Sequence, residues 1–219
     1  MATRQVLADL VAAYSQQADV AVTIESVGGV DAARRVQDGE AFDFVVLASD
    51  PIDKLIAAGH IEASSKTDLV HSGVAVAVRA GAAHLDISTE EALRQAVQSA
   101  ASLSYSTGPS GVALAQLFVR WGIADEIQRR IVQAPPGVPV GALVARGDVA
   151  LGFQQLSELI HIDGIDLLGP LPAAVQITTT FTAGLCPGAP HSDAVRALLQ
   201  FMASPAAAEA KHRQGMAPA

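Results

Sequence analysis

The sequence predicts an α/β fold in two lobes, because strand-like and helix-like segments alternate and two longer extended runs divide them. Short β-rich runs such as FDFVVLA alternate with amphipathic helical patterns, which is typical of an α/β fold with largely parallel sheets. The runs LVHSGVAVAVRAG and VQITTTFTAGLC bracket a complete set of strand–helix units. We therefore expect both runs to cross between lobes, giving one lobe of residues 1–73 plus 179–219 and a second of residues 74–178.

The elements of the first lobe follow from apolar spacing and from helix end signals. The spacing in residues 3–17 and 30–37 predicts helices, and the run VAVTIES between them predicts a strand. FDFVVLA is predicted to be a buried strand. The segment SDPIDKLIAAG is predicted to be a helix with Pro51 in its first turn and Gly59 as its stop.

The middle and the end of the chain continue the alternation. STEEALRQAVQSA predicts a capped helix, SLSYS a strand, GVALAQLFVRWG a helix and ADEIQRRI a short helix. VALGFQQLSELI predicts a strand, a turn and a helix, and IDLLGPLP predicts a strand with its exit loop. Two helices, around HSDAVRALLQFMA and SPAAAEAKHRQ, are predicted to close the chain.

Composition limits the function. The chain has 219 residues of which 50% are hydrophobic, enough for a large core. A formal net charge of −8 without any basic run excludes a nucleic-acid surface and favours a small ligand. No apolar run is long enough for a membrane helix, and MATRQVLADL lacks the apolar core of a secretion signal. The chain is therefore predicted to be cytoplasmic.

The cysteine and histidine patterns predict neither a disulfide nor a metal site. Cys186 is the single cysteine and lies among apolar neighbours, so we interpret it as a buried, inert thiol. No HxxxH or HExxH spacing occurs, and no GxxxxGK[ST] loop or GxSxG turn is present. No cofactor is predicted.

Polar, glycine-bearing turns precede several predicted helices and are the candidate ligand-binding segments. A helix N-terminus offers unpaired N–H groups and a partial positive charge to an anion. For the turn before GVALAQLFVRWG the alternative is that Ser110 only caps the helix. For the turn at Ser26, Gly28 and Gly29 it is an ordinary strand-to-helix turn, and at Ser49 it is that Ser49 or Asp50 only caps the helix. The candidate binding residues in these turns are Ser26, Gly28, Gly29, Ser49, Thr107, Gly108, Ser110 and Gly111.

The segment DFVVLASDPIDKLIAAGHI resembles a segment of periplasmic solute-binding proteins of the type II fold, nearest their molybdate-binding branch. The entry segment ARGDVALGF, the exit GPLP and the tail FMASPAAAEAKHRQGMAP follow in the family's order. The resemblance implies a type II, periplasmic-binding-protein-like fold with a ligand cleft between the lobes. It also implies a small anionic ligand and, as partner, the membrane subunit of an ABC transporter.

Departures from the molybdate-binding pattern point to another ligand. The first-lobe turn has glycines where that branch has serine, and Gln154 and Gln155 stand where it has a tyrosine. Amide side chains both donate and accept, which suits a carboxylate ligand. The chain is therefore predicted to bind a di- or tricarboxylate. The alternatives are a proton-transfer isomerase acting on a tricarboxylate, since GFQQLSEL and GPLP also resemble aconitate-isomerase-like members, and a receptor for molybdate or a similar oxyanion.

An isomerase needs a group that takes a proton and returns it. The candidates are His71 and Glu158, with Glu25 as a third, and each has an ordinary structural alternative on a strand or helix surface. Arg4 is a candidate to pair with a ligand carboxylate, because the resemblance places the start of the first helix at the cleft.

The resembled family begins with a strand before its first helix, whereas this sequence begins in the helix. We expect that strand to belong upstream of Met1. If the N-terminus is truncated or processed, the expected location changes from cytoplasmic to periplasmic.

Overall fold

A computed structural model of the chain describes residues 2–135 and 137–219. These residues form two compact units. Unit 1 contains the residues up to Ser72 together with Thr179–Ala219, and unit 2 is Gly73–Thr178. The predicted lobe boundaries follow residues 73 and 178, and the two units divide after residues 72 and 178.

The helices and strands follow one another along the chain in this order. They are α1 (Arg4–Tyr14), α2 (Gly29–Gln37), β1 (Phe44–Ala48), α3 (Ser49–Ala57), β2 (Thr67–Arg79), α4 (Glu90–Ser99), β3 (Leu103–Tyr105), α5 (Pro109–Arg120), α6 (Ala124–Ile127), α7 (Val140–Arg146), β4 (Leu151–Gln155), α8 (Leu156–Leu159), β5 (Ile165–Pro170), β6 (Thr178–Leu185), α9 (Ser192–Ala203), α10 (Ala208–Arg213) and β7 (Met216–Pro218). Short 3-10 turns lie at Ala63–Ser65, Gln128–Arg130, Ala173–Val175 and Pro205–Ala207.

Helix ends follow the local sequence signals. Thr89 caps α4, because its hydroxyl accepts a hydrogen bond from the Ala92 amide at 3.1 Å. Gly59, just beyond α3, has φ of 78°, and Gly147, at the end of α7, has φ of 80°. Both are left-handed positions that glycine occupies at little cost. α3 therefore stops at the predicted Gly59, whereas the end of α7 at Gly147 was not predicted from the sequence.

Unit 1 is built on a sheet with strand order β1-β6-β2-β7. β1 pairs antiparallel with β6, Phe44 opposite Leu185, and the first half of β2 pairs antiparallel with β7, Ser72 opposite Met216. Helices α1 and α9 bury their apolar faces in the core of this unit, where Leu10 and Met202 are fully buried. The sheet and these helices fix the positions of the loops at the strand ends.

Unit 2 is built on a sheet with strand order β5-β2-β4-β3. β3 and β4 run parallel, with Tyr105 opposite Phe153, whereas β2 pairs antiparallel with β4 and with β5. Phe118 of α5 packs edge-on against Phe153, with ring centroids 6.1 Å apart. This aromatic contact holds α5 against the sheet. Residues 106–108 form the loop that joins the end of β3 to the N-terminus of α5.

Two predictions about strands are wrong, and one strand was missed. VAVTIES forms no strand: Val20, Val22 and Ile24 pack against the unit 1 core, but the described residues place no ladder partner beside them. The sheets are also not largely parallel. β1 pairs antiparallel with β6, and β2 pairs antiparallel with β4, β5 and β7, whereas β3 and β4 are a parallel pair. The missed strand is β7, which the sequence shows only as a tail.

Cys186 is buried and unpaired, and burial, with a smaller effect of Asp43, raises the pKa of its thiol to about 11. The prediction of a buried thiol is confirmed. In the described part of the chain, no helix is long and apolar enough to cross a membrane.

Candidate functional site

The loop between β3 and α5 is the most developed anion-binding candidate in unit 2. Gly108 is the N-cap residue of α5, and no side chain caps the helix. The first loop-to-helix bond runs from the Val112 amide to the Gly108 carbonyl at 3.1 Å. Ser110 is buried and its hydroxyl lies 3.3 Å from that of Ser106. Ser110 is therefore not the cap of this helix. Its hydroxyl and the hydroxyl of Ser106 form a polar pair at the helix start.

Two glutamines lie at the same edge of the unit 2 sheet. Because β3 and β4 are parallel, the loop after Tyr105 and the end of β4 at Gln155 lie at the same end of the strands. Gln155 is buried and sits opposite Val74 in the neighbouring strand. The Gln176 oxygen accepts hydrogen bonds from the amides of Val74, at 3.2 Å, and Ile177, at 2.8 Å. Sequence reasoning missed Gln176, whose position depends on a contact across most of unit 2.

Charged residues in the first helical turn distinguish the helices that favour an anion at their N-terminus from those that do not. An acidic residue in the first turn already complements the positive end of a helix and repels a ligand anion. α2 carries Asp31 there and α3 carries Asp50. α5 and α1 carry no acidic residue in the first turn, and Arg4 is the first residue of α1. The electrostatics therefore favour α5 in unit 2, and α1 in unit 1, as helices that bind an anion.

In unit 1, a chain of hydroxyl groups ends at a carboxylate. The Thr182 hydroxyl donates to Asp68 at 2.5 Å and lies 2.7 Å from the Ser49 hydroxyl. Since Thr182 has one proton and gives it to Asp68, Ser49 donates to Thr182 and keeps only lone pairs for a ligand. In this arrangement the Ser49 hydroxyl has no proton left to donate to an anion, and its role in ligand binding stays a prediction. Thr182 and Asp68 were not found from the sequence.

His71 is half-buried on β2, in unit 1. Its Nδ1 atom lies 2.9 Å from the hydroxyl of Thr180, and His71 faces the same sheet surface as its cross-strand partner Ala217. One ring nitrogen is thus engaged and the orientation of the ring is fixed. His71 remains a prediction as a proton-transfer group.

The other predicted residues of unit 1 lie at exposed helix starts. Arg4 is exposed at the beginning of α1, while Ser26, Gly28 and Gly29 are exposed where α2 begins. Glu25, the third candidate base, forms an ion pair with Arg35 at 2.7 Å. That pairing assigns Glu25 a structural contact. The ligand roles of the exposed residues stay predictions, as do those of Thr107, Gly108 and Gly111 in unit 2.

Gln154 and Glu158 lie together in unit 2. Gln154 is buried, and its Oε1 atom accepts a hydrogen bond from the Gly141 amide at 3.3 Å. Burial raises the pKa of the Glu158 carboxyl above its ordinary value, and a hydrogen bond from the Gln154 side chain lowers it in part. A carboxyl with a raised pKa is suited to hold a proton near neutral pH. The described residues contain no cluster of three His, Cys, Asp or Glu side chains that could hold a metal ion.

A family model described as bacterial extracellular solute-binding protein matches residues 1–217. The chain belongs to this solute-binding protein family. A curated relative, an aconitate isomerase from Pseudomonas sp., is 40% identical over 185 residues, which cover 84% of this chain and 70% of the relative. The sequence prediction of the family, including its aconitate-isomerase-like members, is thereby confirmed.

Solved structures of solute-binding proteins have the same fold. The periplasmic molybdate-binding protein of Azotobacter vinelandii superposes with a TM-score of 0.79 at 20% identity, covering 98% of this chain and 94% of that protein. A tungstate-binding protein from Desulfovibrio alaskensis superposes with a TM-score of 0.66 at 16% identity, covering 93% of this chain and 86% of that protein. The type II periplasmic-binding-protein fold predicted from the sequence is therefore confirmed.

Proposed function

We propose that this solute-binding protein binds a tricarboxylate of the aconitate type. The observation that carries the proposal is the start of α5, which has no acidic residue in its first turn and no side-chain cap, and which presents Ser110 beside Ser106. Backbone amides and hydroxyl groups at a helix N-terminus bind carboxylates without a cationic side chain. The 40% identity to an aconitate isomerase supports a tricarboxylate over other small anions.

A second candidate function is isomerisation of the bound acid by proton transfer. The half-buried Glu158 carboxyl, whose pKa is raised by desolvation, favours it, because such a group can act as base and then as acid. A transport receptor for molybdate or a similar oxyanion, working with an ABC transporter membrane subunit, is the alternative. It is supported by the resemblance to molybdate-binding proteins.

A ligand screen by thermal unfolding tests the ligand class. At equal concentration we expect cis-aconitate, trans-aconitate and citrate to raise the melting temperature more than molybdate, because stabilisation follows occupancy. A ligand at about 100 times its dissociation constant stabilises by about 2.7 kcal/mol, or roughly 5 to 10 °C for a chain of this size. A large molybdate shift without any response to the tricarboxylates reverses the ranking and supports the oxyanion receptor.

The same samples separate a binding protein from an enzyme. Incubation with pure cis-aconitate or pure trans-aconitate, followed by proton NMR, shows whether the ligand is returned unchanged. An isomerase converts each acid toward one common mixture of both. A protein that is stabilised by aconitate but leaves both acids unchanged is a binding protein.

Removing the Ser110 hydroxyl tests the anion loop. In Ser110→Ala we expect the dissociation constant for the tricarboxylate to rise by roughly 10- to 150-fold, from the loss of one charge-assisted hydrogen bond. The melting temperature without ligand should change little, because Ser110 caps no helix. Isothermal titration and thermal unfolding are measured on the same sample.

Ser99→Ala is the matched control for this variant. The Ser99 hydroxyl donates to the Ala96 carbonyl at 3.1 Å at the end of α4, so its loss should leave affinity unchanged. Normal tricarboxylate binding by Ser110→Ala removes the loop from the ligand site.

A further inference from the structure

The side-chain amide of Gln176 is held in one direction by the backbone of unit 2. Its Oε1 atom accepts hydrogen bonds from the amide of Val74 at 3.2 Å and from the amide of Ile177 at 2.8 Å. The Val74 amide also donates to the Ile177 carbonyl at 3.0 Å, so the Gln176 oxygen joins a backbone pairing that β2 already makes. Because the oxygen is held by two amides, the NH₂ group of the same planar side chain has a fixed direction.

Gly73 of β2 makes room for this amide. A Cβ atom on Gly73 would lie 3.1 Å from the Nε2 atom of Gln176 and 3.3 Å from its Cδ atom, which is tighter than an ordinary side-chain contact. Glycine inside a strand weakens the strand, and it often marks a place where a ligand or another part of the chain approaches closely. The glycine in β2 is therefore explained by the Gln176 amide that lies against it.

The NH₂ group of Gln176 has no hydrogen-bond acceptor among the residues that the structure describes. Both hydrogen bonds of this side chain are made by its oxygen. The side chain is half-buried, so its amide is not sealed inside the core. A donor that is fixed by the fold and has no acceptor in the protein is suited to an acceptor on a ligand, because little orientational freedom is lost on binding.

Gln176 and the loop before α5 lie at the same end of the unit 2 sheet. Val74 pairs with Gln155, the last residue of β4, and β4 runs parallel to β3. Continuing that parallel register by two residues beyond β3 places Thr107, in the loop before α5, level with Gln155. Two strand spacings of about 4.8 Å, or roughly 10 Å, therefore separate Val74 from this loop.

The chain around Gln176 carries no charge. Residues 171–178 and residues 72–78 contain no acidic or basic side chain. An anion at the Gln176 amide therefore meets no repelling carboxylate from these two segments, and no cation in them competes with the amide as its partner. The first turn of α5 likewise has no acidic residue. Both places offer neutral donors to an anion.

We propose that the Gln176 NH₂ group donates to the ligand and selects an acid with carboxylates at both ends. This inference rests on the tricarboxylate binding proposed above and deepens it. The start of α5 binds one carboxylate, and Gln176 donates to another at the far end of the same ligand. The separation of the two places fits a short carbon chain with a hydrogen bond of about 2.9 Å at each end. A compact tetrahedral oxyanion is too short to reach both, so Gln176 favours the tricarboxylate.

Gln176→Glu tests the NH₂ group while keeping the contacts of the oxygen. The new carboxylate still accepts from the amides of Val74 and Ile177, but it presents an acceptor where the wild type presents a donor. We expect the Kd for trans-aconitate, measured by isothermal titration, to rise by at least roughly 10- to 150-fold. The melting temperature without ligand should stay nearly unchanged. Gln176→Met, which adds no charge, should also raise this Kd, by about 10-fold or more.

Gln95→Glu is the matched control for charge. It makes the same change of charge in unit 2, on α4, where the Gln95 side chain donates to Glu91 at 2.9 Å. The affinity for trans-aconitate should be that of the wild type. A loss of affinity as large as that of Gln176→Glu would mean that the net charge of the unit controls binding, and would overturn the inference.

NMR of the side-chain amides gives a readout that a merely structural role would not move. The NH₂ signals of Gln176 and of Gln95 are assigned by their absence from the spectra of Gln176→Met and Gln95→Glu. Saturation of the wild type with trans-aconitate should shift the Gln176 signals and leave the Gln95 signals in place.

The outcomes separate this inference from the proposed function. Wild-type protein that binds no tricarboxylate overturns both. Tricarboxylate binding by the wild type, with unmoved Gln176 signals, overturns only the role of Gln176. In that case a weaker affinity of the Gln176 variants is assigned to the contacts of the oxygen with Val74 and Ile177. Full affinity for trans-aconitate in both Gln176 variants also overturns the role of Gln176 alone.

Discussion

Gly111→Ala is expected to lower the free energy of unfolding by about 3 kcal/mol or more, or to displace the loop that starts α5. A Cβ atom on Gly111 would lie 1.6 Å from the carbonyl oxygen of Ser106, which is backbone and therefore has no rotamer to adopt. Either the helix start moves away from Ser106 or the loop rebuilds. Because Ser110 directly precedes Gly111 at this helix start, both responses should also weaken tricarboxylate binding.

Gly108→Ala is the matched control, three positions earlier in the same loop. Its φ is −78°, which any residue adopts, and the nearest atom to an added Cβ is 3.9 Å away. We expect a loss of about 1 kcal/mol or less, since alanine is a poorer N-cap than glycine. Urea unfolding and ligand titration of both variants measure the difference. Equal stability and equal affinity of the two variants would show that Ser106 does not pack on Gly111 in solution.

Local patterns were sufficient for most helices and strands, but pairing between strands was not visible in them. The run FDFVVLA and the capped segment SDPIDKLIAAG became β1 and α3, because both carry their apolar spacing and end signals within a few residues. VAVTIES has the same local character and its alternate side chains are partly buried, yet it has no ladder among the described residues. A strand needs hydrogen-bond partners from elsewhere in the chain, and composition does not supply them.

The candidate site was predictable to a similar degree. The loop at α5 could be found because serine, glycine and an uncharged first turn precede an apolar helix. Gln176 and Thr182 could not be found, since each acquires its role from a residue far away in sequence, Val74 and Asp68 respectively. Gln154 was found as a polar residue of interest, but only its contact with Gly141 indicates a role inside the unit.

Lys211→Met is expected to stabilise the protein by about 1 to 3 kcal/mol at neutral pH. Lys211 of α10 is fully buried in unit 1, and its Nζ atom has no hydrogen-bond partner among the described residues. Burial lowers the pKa of this amine from its ordinary value of 10.5, because the charged form is poorly solvated there. Methionine has a similar length without the charge and fills the same space.

The stability difference between Lys211→Met and wild type should depend on pH, and its direction follows from the lowered pKa of Lys211. In the window between the lowered folded pKa and 10.5, the unfolded chain binds more protons at Lys211 than the folded chain does. The contribution of Lys211 to the free energy of unfolding of the wild type should therefore rise with pH through this window. The variant lacks that contribution. The stability difference between Lys211→Met and wild type should consequently be largest near neutral pH and shrink toward pH 10.5.

Urea unfolding of wild type and variant across this pH range measures the difference, in which titrations common to both proteins cancel. Lys54→Met is the control, because Lys54 is exposed on α3 and its removal should change stability by no more than about 0.5 kcal/mol. A Lys211→Met variant that is less stable than wild type at neutral pH would mean that the amine stabilises the fold through a partner. The argument from an unpaired buried amine would then be wrong, since an uncompensated charge cannot be favourable in an apolar core.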